Sequence, residues 1–463
     1  MTNSGKNVLF IDTWSMGNFC TNAGESLRRS LAGIGVNLFT VNALDEAFPA
    51  RITELINQRS YEFVLSYGGV GKACAAGDKV LWDVIGLPFL TIYGDSPSYF
   101  FDQHFDYGLW GVSLYPFEEH LALRRQFATL RGLHGVAPTL PYDSMLDGEI
   151  DWRAKESGKL IFLKNGNDPA ALRAFWRAAM QPRVAETLIE LSDAMAADLD
   201  RCSHRDIVAR VQTCLRDAGL HYGAERLMLI MVAQLDDYLR RVKSTLLANV
   251  LLDYPVEIHG FNWDHIDASS RRGRLIREAD YAKSEYLIRS ALATIDMSPN
   301  TSAGVHDRVA RAAGQRTVCL SNAGQDWGYV PSIGEQVSYR FDEASIRERV
   351  EWMLAHPKET VELGIAFGDE FVKTHNIETV YASLQRMAQF VRQNNSSEEL
   401  AGSPPYFMWP PASYVKTPSH KPVYMEEIAH LGERLGRVEQ ELQAGAEKSG
   451  RKAGGLFKRM LGE

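Results

Sequence analysis

The segment Met297-Ser-Pro-Asn-Thr-Ser-Ala-Gly-Val-His-Asp-Arg308 brings hydroxyl, amide, imidazole and guanidinium groups together around a glycine, a set of residue types suited to holding an anion. Thr294 to Met297 reads as a buried strand, Ser298 to Gly304 as a turn, and Val305 to Gln315 as a helix. That order aims a helix N-terminus, with its unbonded N–H groups and positive dipole end, at the carboxyl edge of a sheet. Gly304 and Val305 offer backbone for close approach of a diphosphate. His306 and Arg308, in the first turn, add hydrogen bonds and positive charge to its oxygens. The same residues equally suit a plain cap, in which Ser298, Asn300, Thr301 and Ser302 satisfy the helix end and Arg308 faces solvent.

Other candidates lie at other strand ends. Lys164, in Lys164-Asn-Gly-Asn-Asp-Pro169, either meets a phosphate or is the solvated lysine of an Asn-Gly turn. His259, Asn262 and Trp263 can contact a nucleotide base or sugar, Trp263 by stacking, or can be core residues. Asp95 is the candidate acceptor-facing carboxylate, with a turn cap as the competing role and His104 as a lesser alternative. Trp14 to Asn22, rich in small polar residues, suits the floor of a cleft. Gly68-Gly-Val-Gly-Lys-Ala73 follows a strand but fails as a phosphate loop. A Walker A pattern has Gly where Ser66 stands and Ser or Thr where Ala73 stands, and a dinucleotide fingerprint has Gly where Cys74 stands. A tight strand-to-helix connection is the favoured reading there. The chain has no HExxH, GxSxG or EF-hand pattern, which removes the commonest zinc-hydrolase, serine-hydrolase and calcium readings.

The elements that must position these groups follow from periodicity. Apolar runs at Val8–Ile11, Val36–Val41, Phe63–Tyr67 and Pro88–Tyr93 alternate with helical patterns around Gly24–Leu31, Ile52–Gln58 and Ala73–Val84, which predicts a doubly wound parallel sheet. After a strand at Lys159–Leu163 comes a helical tract from about Pro169 to Leu252, broken at Pro182 and near Gly219. Its helical spacing predicts a packed insertion. Strands at Val256–His259, Thr294–Met297 and Thr317–Ser321 form a second α/β unit. Helices follow over Glu343–Leu354, Glu359–His375 and Ile377–Asn394, the last able to pack back on the first unit. Ser396 to Pro422, with six prolines among aromatic residues, reads as a linker or strap. Tyr424, Ile428, Leu431, Leu435, Val438 and Leu442 trace the seam of a short coiled coil, weakened by Gly432 and Gly436. Leu456 to Leu461 is a basic-apolar end, either frayed or touching a membrane or partner.

The layout Ser-Pro-Asn-Thr…Gly-Val-His-Asp-Arg-Val, running into a hydrophobic strand, resembles the donor-site segment of the CgeB-type, spore-maturation-like glycosyltransferases. Tyr254-Pro-Val-Glu-Ile-His-Gly-Phe-Asn-Trp263, Ala279-Asp-Tyr281 and Leu87-Pro-Phe-Leu-Thr-Ile-Tyr-Gly-Asp-Ser-Pro97 are similar to further segments of that family. The likeness touches both units, over Val8 to Gln393. It implies the GT-B fold: two Rossmann-like lobes, here with a helical insertion and a C-terminal helical extension. Two positions depart from the family pattern. Arg311 stands where many relatives bear a ribose-gripping Glu, and Arg316 stands near the place of a usual glycine.

Taken with the resemblance, the expected reaction is transfer of a sugar from a nucleotide-diphosphate sugar to a protein, flagellin among the candidates, or to a cell-surface glycan, with retention. The departing diphosphate must be stabilised, and no acidic DxD-like metal clamp is evident. Arg308, Lys164 and the helix N-terminus are therefore expected to replace a metal ion, with Asp95 on the acceptor side. No cofactor beyond the donor substrate is expected. A non-catalytic sugar-nucleotide or glycan-binding subunit and a sugar-nucleotide epimerase are the competing readings.

Bulk properties set the frame. The chain has 463 residues, too many for one core, and 45% hydrophobic with 23% charged residues is an ordinary globular balance. The expected division is an acceptor lobe over 1–150, a donor lobe over 151–395, the strap over 396–422 and a C-terminal helix over 423–463. A net charge of -8 argues against a nucleic-acid partner. The coil is a candidate for homo-oligomer formation. Five scattered cysteines without metal spacing suit reduced thiols. The lack of a signal-peptide layout and of a run of about 18 apolar residues leads to the expectation of a cytoplasmic protein.

Overall fold

The computed structural model describes residues 6–12, 19–104, 108–127, 133–137, 139–140, 146, 148–220, 225–278, 280–302, 304–322, 327–395 and 407–408. The first half contains strands β1 (Lys6–Asp12), β2 (Val36–Asn42), β3 (Phe63–Tyr67), β4 (Ala75–Ala76), β5 (Lys79–Val80), β6 (Phe89–Ile92), β7 (Gly111–Tyr115) and β8 (Leu133–Val136). Helices α1 (Phe19–Gly33), α2 (Phe48–Gln58), α3 (Leu81–Ile85) and α4 (Glu118–Arg124) connect them. Six of these strands form a parallel sheet in the order β2-β1-β3-β6-β7-β8. The near-continuous apolar runs of β1 and β6 are buried on both faces, as a helix-covered parallel sheet requires.

The helix expected over Ala73–Val84 is instead the antiparallel hairpin β4–β5 followed by the short α3. Gly77-Asp78 supplies the two-residue turn, with Gly77 at φ 66°, and this local turn chemistry overrides the helical spacing of the flanking apolar residues.

The second half opens with α5 (Trp152–Glu156) and β9 (Leu160–Leu163), followed by α6 (Pro169–Ala179), α7 (Pro182–Ala196), α8 (His204–Asp217) and α9 (Glu225–Leu251). Helices α6, α7 and α8 each start at a residue that can cap them. Asp168 caps α6 ahead of Pro169, Gln181 caps α7 ahead of Pro182, and Ser203 with Asp206 forms a capping box on α8. The sheet then resumes with β10 (Val256–His259), β11 (Arg274–Ile276), α10 (Tyr281–Ser290), β12 (Ala293–Ile295), α11 (Asp307–Gly314), β13 (Val318–Asn322) and β14 (Ser338–Tyr339). Helices α12 (Glu343–Ala355), α13 (Pro357–Thr374) and α14 (Ile377–Asn394) follow. This second parallel sheet has the order β11-β10-β9-β12-β13-β14, the strand order of a Rossmann fold counted from β9. The chain is thus an α/β protein with two Rossmann-like sheets and a helical insertion.

Among the described residues three large hydrophobic cores, with a small fourth cluster of Tyr93, Tyr115 and Leu121, hold this together. One lies under each sheet, and Val380, Tyr381, Leu384, Ala388 and Val391 of α14 belong to the core of the first. The third is built by α6 to α9 together with Leu123 and Phe127, which come from α4 and the turn after it. Among the described residues no helix is long and apolar enough to cross a membrane. Of the Pro-rich segment only β15 (Phe407–Met408) is described, pairing antiparallel with β4, and the expected coil and basic-apolar end lie outside the described residues.

Candidate functional site

In an open α/β sheet, ligands gather outside the carboxyl ends of the strands where the strand order reverses. In the second sheet that point lies between β9 and β12, whose next residues are Lys164 and Asp296. Asp296 is fully buried and acts as the anchor of the site. Its Oδ1 accepts from Arg308 Nε at 2.8 Å and lies 3.0 Å from His306 Nδ1, while its Oδ2 accepts from Ser321 Oγ at 3.2 Å. Burial works against the Asp296 charge, but His306 and Arg308 outweigh it and hold the carboxyl well below its ordinary range. Arg308 also donates from Nη1 to the Leu163 carbonyl at 2.8 Å, so one guanidinium ties the first turn of α11 to the end of β9. His306 Nε2 lies 3.1 Å from Asp307.

Two further cations join Arg308. The Lys164 backbone is pinned by the His259 carbonyl at 2.9 Å and by Trp263 Nε1 at 2.9 Å, yet its Nζ makes no hydrogen bond among the described residues. Burial, then Arg240 and Arg308, push its ammonium down to about 7. Arg240, on α9, likewise makes no side-chain hydrogen bond among the described residues. Among the described residues its one ion pair is with Asp236, Nη1 to Oδ2 at 3.6 Å. Burial opposes its charge, but Tyr99, Asp236 and Asp95 more than offset that. Lys164, Arg240 and Arg308 therefore converge at the switch point with donors to spare.

The turn from Ser298 to Gly304 is engaged differently from the sequence expectation. Ser298 and Thr301 bond each other, Oγ to Oγ1 at 3.2 Å, and both are buried. Asn300, at φ 28°, donates from Nδ2 to Asp236 Oδ1 at 3.0 Å and accepts from Lys243 Nζ at 2.7 Å. Its amide is fully committed to α9, so Asn300 is an anchor of the loop and not a ligand contact. Gly304, at φ 96°, faces the first half of the chain. A Cβ there would run into the Pro116 carbonyl, so its glycine serves packing between the two halves and not ligand approach. Val305 is buried, and its carbonyl accepts from Thr139 Oγ1. The part of the segment that reaches the switch point is therefore its end, His306 and Arg308, both of which bond Asp296.

On the neighbouring strand, Trp263 is a correction. Its ring is buried in the second core against Gly166, where no base can stack. His259 is also buried, with both ring nitrogens lacking hydrogen bonds and Nε2 3.5 Å from Glu257. Asn262 is exposed at φ 65°, and its Nδ2 bonds Asn167 at 3.2 Å, which knits the two strand-end loops together. Arg311 is buried and donates to Ser284 of α10, so its place on α11 is taken up by internal packing.

From the first half, Asp95 lies just past β6 and is exposed. The protein packed around it raises its carboxyl above the ordinary range, against the pull of Arg240, with Asp236 pushing the same way and His306 opposing. Its electrical neighbours, Arg240, Asp236 and His306, all belong to the second half of the chain. His104 is not there: it is buried with Nδ1 2.6 Å from Tyr115 Oη, and it stacks on Tyr93. The Gly68–Lys72 loop is a structural connection. Gly69 N donates to Thr91 Oγ1 at 2.7 Å, and Lys72 Nζ bonds Tyr93 Oη at 2.7 Å. Of Trp14 to Asn22, residues 14–18 lie outside the described residues and the rest begin α1.

Sequence reading missed Asp296, Arg240 and Asp236. The signal for Asp296 was present, an acid inside the apolar run Thr294–Met297. Arg240 and Asp236 had none, because charged residues on a long helix are ordinary. Among the described residues no group of three or more His, Cys, Asp or Glu side chains could hold a metal ion.

No protein-family model and no curated protein matches the chain. Among solved structures it is similar to the spinosyn forosaminyltransferase SpnP, at 10% identity over 83% of this chain and 100% of that one, with a TM-score of 0.36. It is similar to an alpha-glucosyltransferase in complex with UDP and a 13-mer DNA containing a central A:G mismatch, at 6% identity over 83% and 100%, TM-score 0.44. It is also similar to WaaG, a glycosyltransferase involved in lipopolysaccharide biosynthesis, at 11% identity over 83% and 99%, TM-score 0.37. The fold assignment rests on the two strand orders given above.

Proposed function

We propose that the chain is a glycosyltransferase of the GT-B type, similar to the CgeB-type enzymes, which moves a sugar from a nucleotide-diphosphate sugar to a protein or cell-surface glycan. The observation that supports this reading is the convergence of the side chains of Lys164 and Arg240, both without side-chain hydrogen bonds among the described residues, with Arg308 at the reversal point of the second sheet. Cations gathered with unused donors are a site prepared for a dianion. A diphosphate leaving group is the dianion whose departure benefits most from them.

In this reading the diphosphate lies between Lys164, Arg240, Arg308 and the first turn of α11, with no metal ion. Asp296 holds Arg308 and His306 in place and touches no substrate. Asp95 faces the acceptor hydroxyl from the first lobe. With retention of configuration no strong general base is required, so a single carboxylate on that side suffices to orient the acceptor. The first lobe is the acceptor side and the second the donor side.

A screen of nucleotide sugars against the full-length protein, with release of nucleoside diphosphate as the readout, tests the reading. Transfer is expected to survive chelator and to fall by roughly 10² to 10³ in Arg308→Ala, the range for removing one preorganised charge-stabilising donor. Undiminished transfer in a folded Arg308→Ala variant removes Arg308 from the mechanism. A changed donor sugar without any acceptor identifies an epimerase instead.

A further inference from the structure

We propose that Asp236 is a positioning residue that aims Arg240 at the donor diphosphate and links that aim to the acceptor-side loop through Tyr99. This rests on the diphosphate reading above. Asp236 is buried near the middle of α9 and joins three parts of the cleft. Its Oδ2 accepts from Tyr99 Oη at 2.5 Å, and Tyr99 belongs to the same loop as Asp95. Its Oδ1 accepts from Asn300 Nδ2 at 3.0 Å, and Asn300 anchors the loop that leads to His306 and Arg308. Arg240 follows one helical turn later, with Nη1 3.6 Å from Oδ2, near enough to be steered and too far to be hydrogen-bonded.

The distances assign the roles. The close bonds from Tyr99 and Asn300 engage both carboxylate oxygens, so the carboxylate holds its position and keeps Arg240 from closing onto it. The guanidinium is directed without being consumed, and its donors stay available to a ligand. If Tyr99 lets go, Oδ2 loses its neutral partner and Arg240 can collapse onto the carboxylate. The acceptor-side loop thereby acts on the donor cation.

Pyrophosphate binding to the full-length protein by calorimetry tests this, because simple electrostatics and positioning predict opposite signs. Removing a negative charge beside an anion site should by itself tighten pyrophosphate. Positioning predicts that Asp236→Asn weakens it roughly tenfold, the order of one charge-assisted hydrogen bond to Arg240. Tyr99→Phe, a milder change that carries the test if Asp236→Asn does not fold, is expected to weaken binding in the same direction. In an Arg240→Ala background both effects should vanish, since they act through that side chain. Unchanged or tighter binding in Asp236→Asn and Tyr99→Phe, or weakening that persists without Arg240, overturns the proposal. Failure of the unsubstituted protein to bind pyrophosphate overturns the diphosphate reading itself and this inference with it.

Discussion

A lysine in a crevice beside two arginines is a group whose protonation the site itself controls. Lys164 has its ammonium pushed down to about 7 by burial and by the like charges of Arg240 and Arg308. The unfolded chain keeps that proton to the ordinary lysine value, near 10.4. Between those two points the unfolded state therefore binds more protons, and this side chain makes stability rise with pH across that window. Below it, the cost of the buried charge is present in full. Anion binding has the opposite preference, because a diphosphate favours the protonated form. The Lys164 contribution to pyrophosphate affinity should be flat below pH 7 and fall above it, by up to about tenfold per pH unit. Lys164→Arg keeps the charge at all these pH values. The ratio of its affinity to that of the unsubstituted protein, in which the ligand's own ionisation cancels, should climb from pH 7 upward. A flat ratio would remove Lys164 from contact with the anion. Lys164 and Arg308 were legible in the sequence because each sits beside a strand end in a short turn-bearing segment. Arg240 was not, because it reaches the same point only through the long insertion between β9 and β10.

At the scale of elements, most strands and helices follow from apolar periodicity, and the departures have local causes. The Gly77-Asp78 turn converts an expected helix into a hairpin. The loop from Ser298 to Gly304 carries the residue types of an anion-binding turn, yet its polar groups face α9 and the first half of the chain. Residue type names what a side chain can bond, and only packing decides which partner arrives first. Ser302 donates from both N and Oγ to Glu119 at the start of α4, the N–H at 2.6 Å. Gly304 lies against Pro116 and Phe117. The role of Gly304 as a packing glycine predicts that Gly304→Ala destabilises the protein by at least about 1 kcal/mol from the left-handed backbone alone. The collision of its Cβ with the Pro116 carbonyl adds to that. Denaturant unfolding should show a lower midpoint with an unchanged slope. A glycine kept for ligand approach would in addition weaken pyrophosphate binding, whereas a packing glycine leaves that affinity unchanged.

For the whole molecule, α9 is the decisive element. At 1.5 Å per residue its run from Glu225 to Leu251 spans about 40 Å, and its two ends belong to different cores. Leu247, Ala248, Val250 and Leu251 lie under the second sheet, whereas Met228 to Leu239 pack with α6, α7 and α8. That same insertion core takes in Leu123 and Phe127 from the first half. Polar bridges run alongside it: Tyr99 to Asp236, Ser96 Oγ to His204 Nε2 at 2.9 Å, and Gln212 to Gln126 at 2.6 Å. One long helix fastened to both halves is a strut, and a strut across the two halves opposes hinge motion. Two lobes joined only by linkers close when a ligand bridges them, which scattering detects as a smaller radius of gyration. This chain should bind pyrophosphate with no resolvable change in that radius. Phe127→Ala, which removes a buried aromatic from the shared core, is expected to lower the melting temperature, enlarge the free protein and restore a compaction on ligand addition. A clear compaction in the unsubstituted protein would show that the insertion moves with one lobe and that α9 does not brace the cleft.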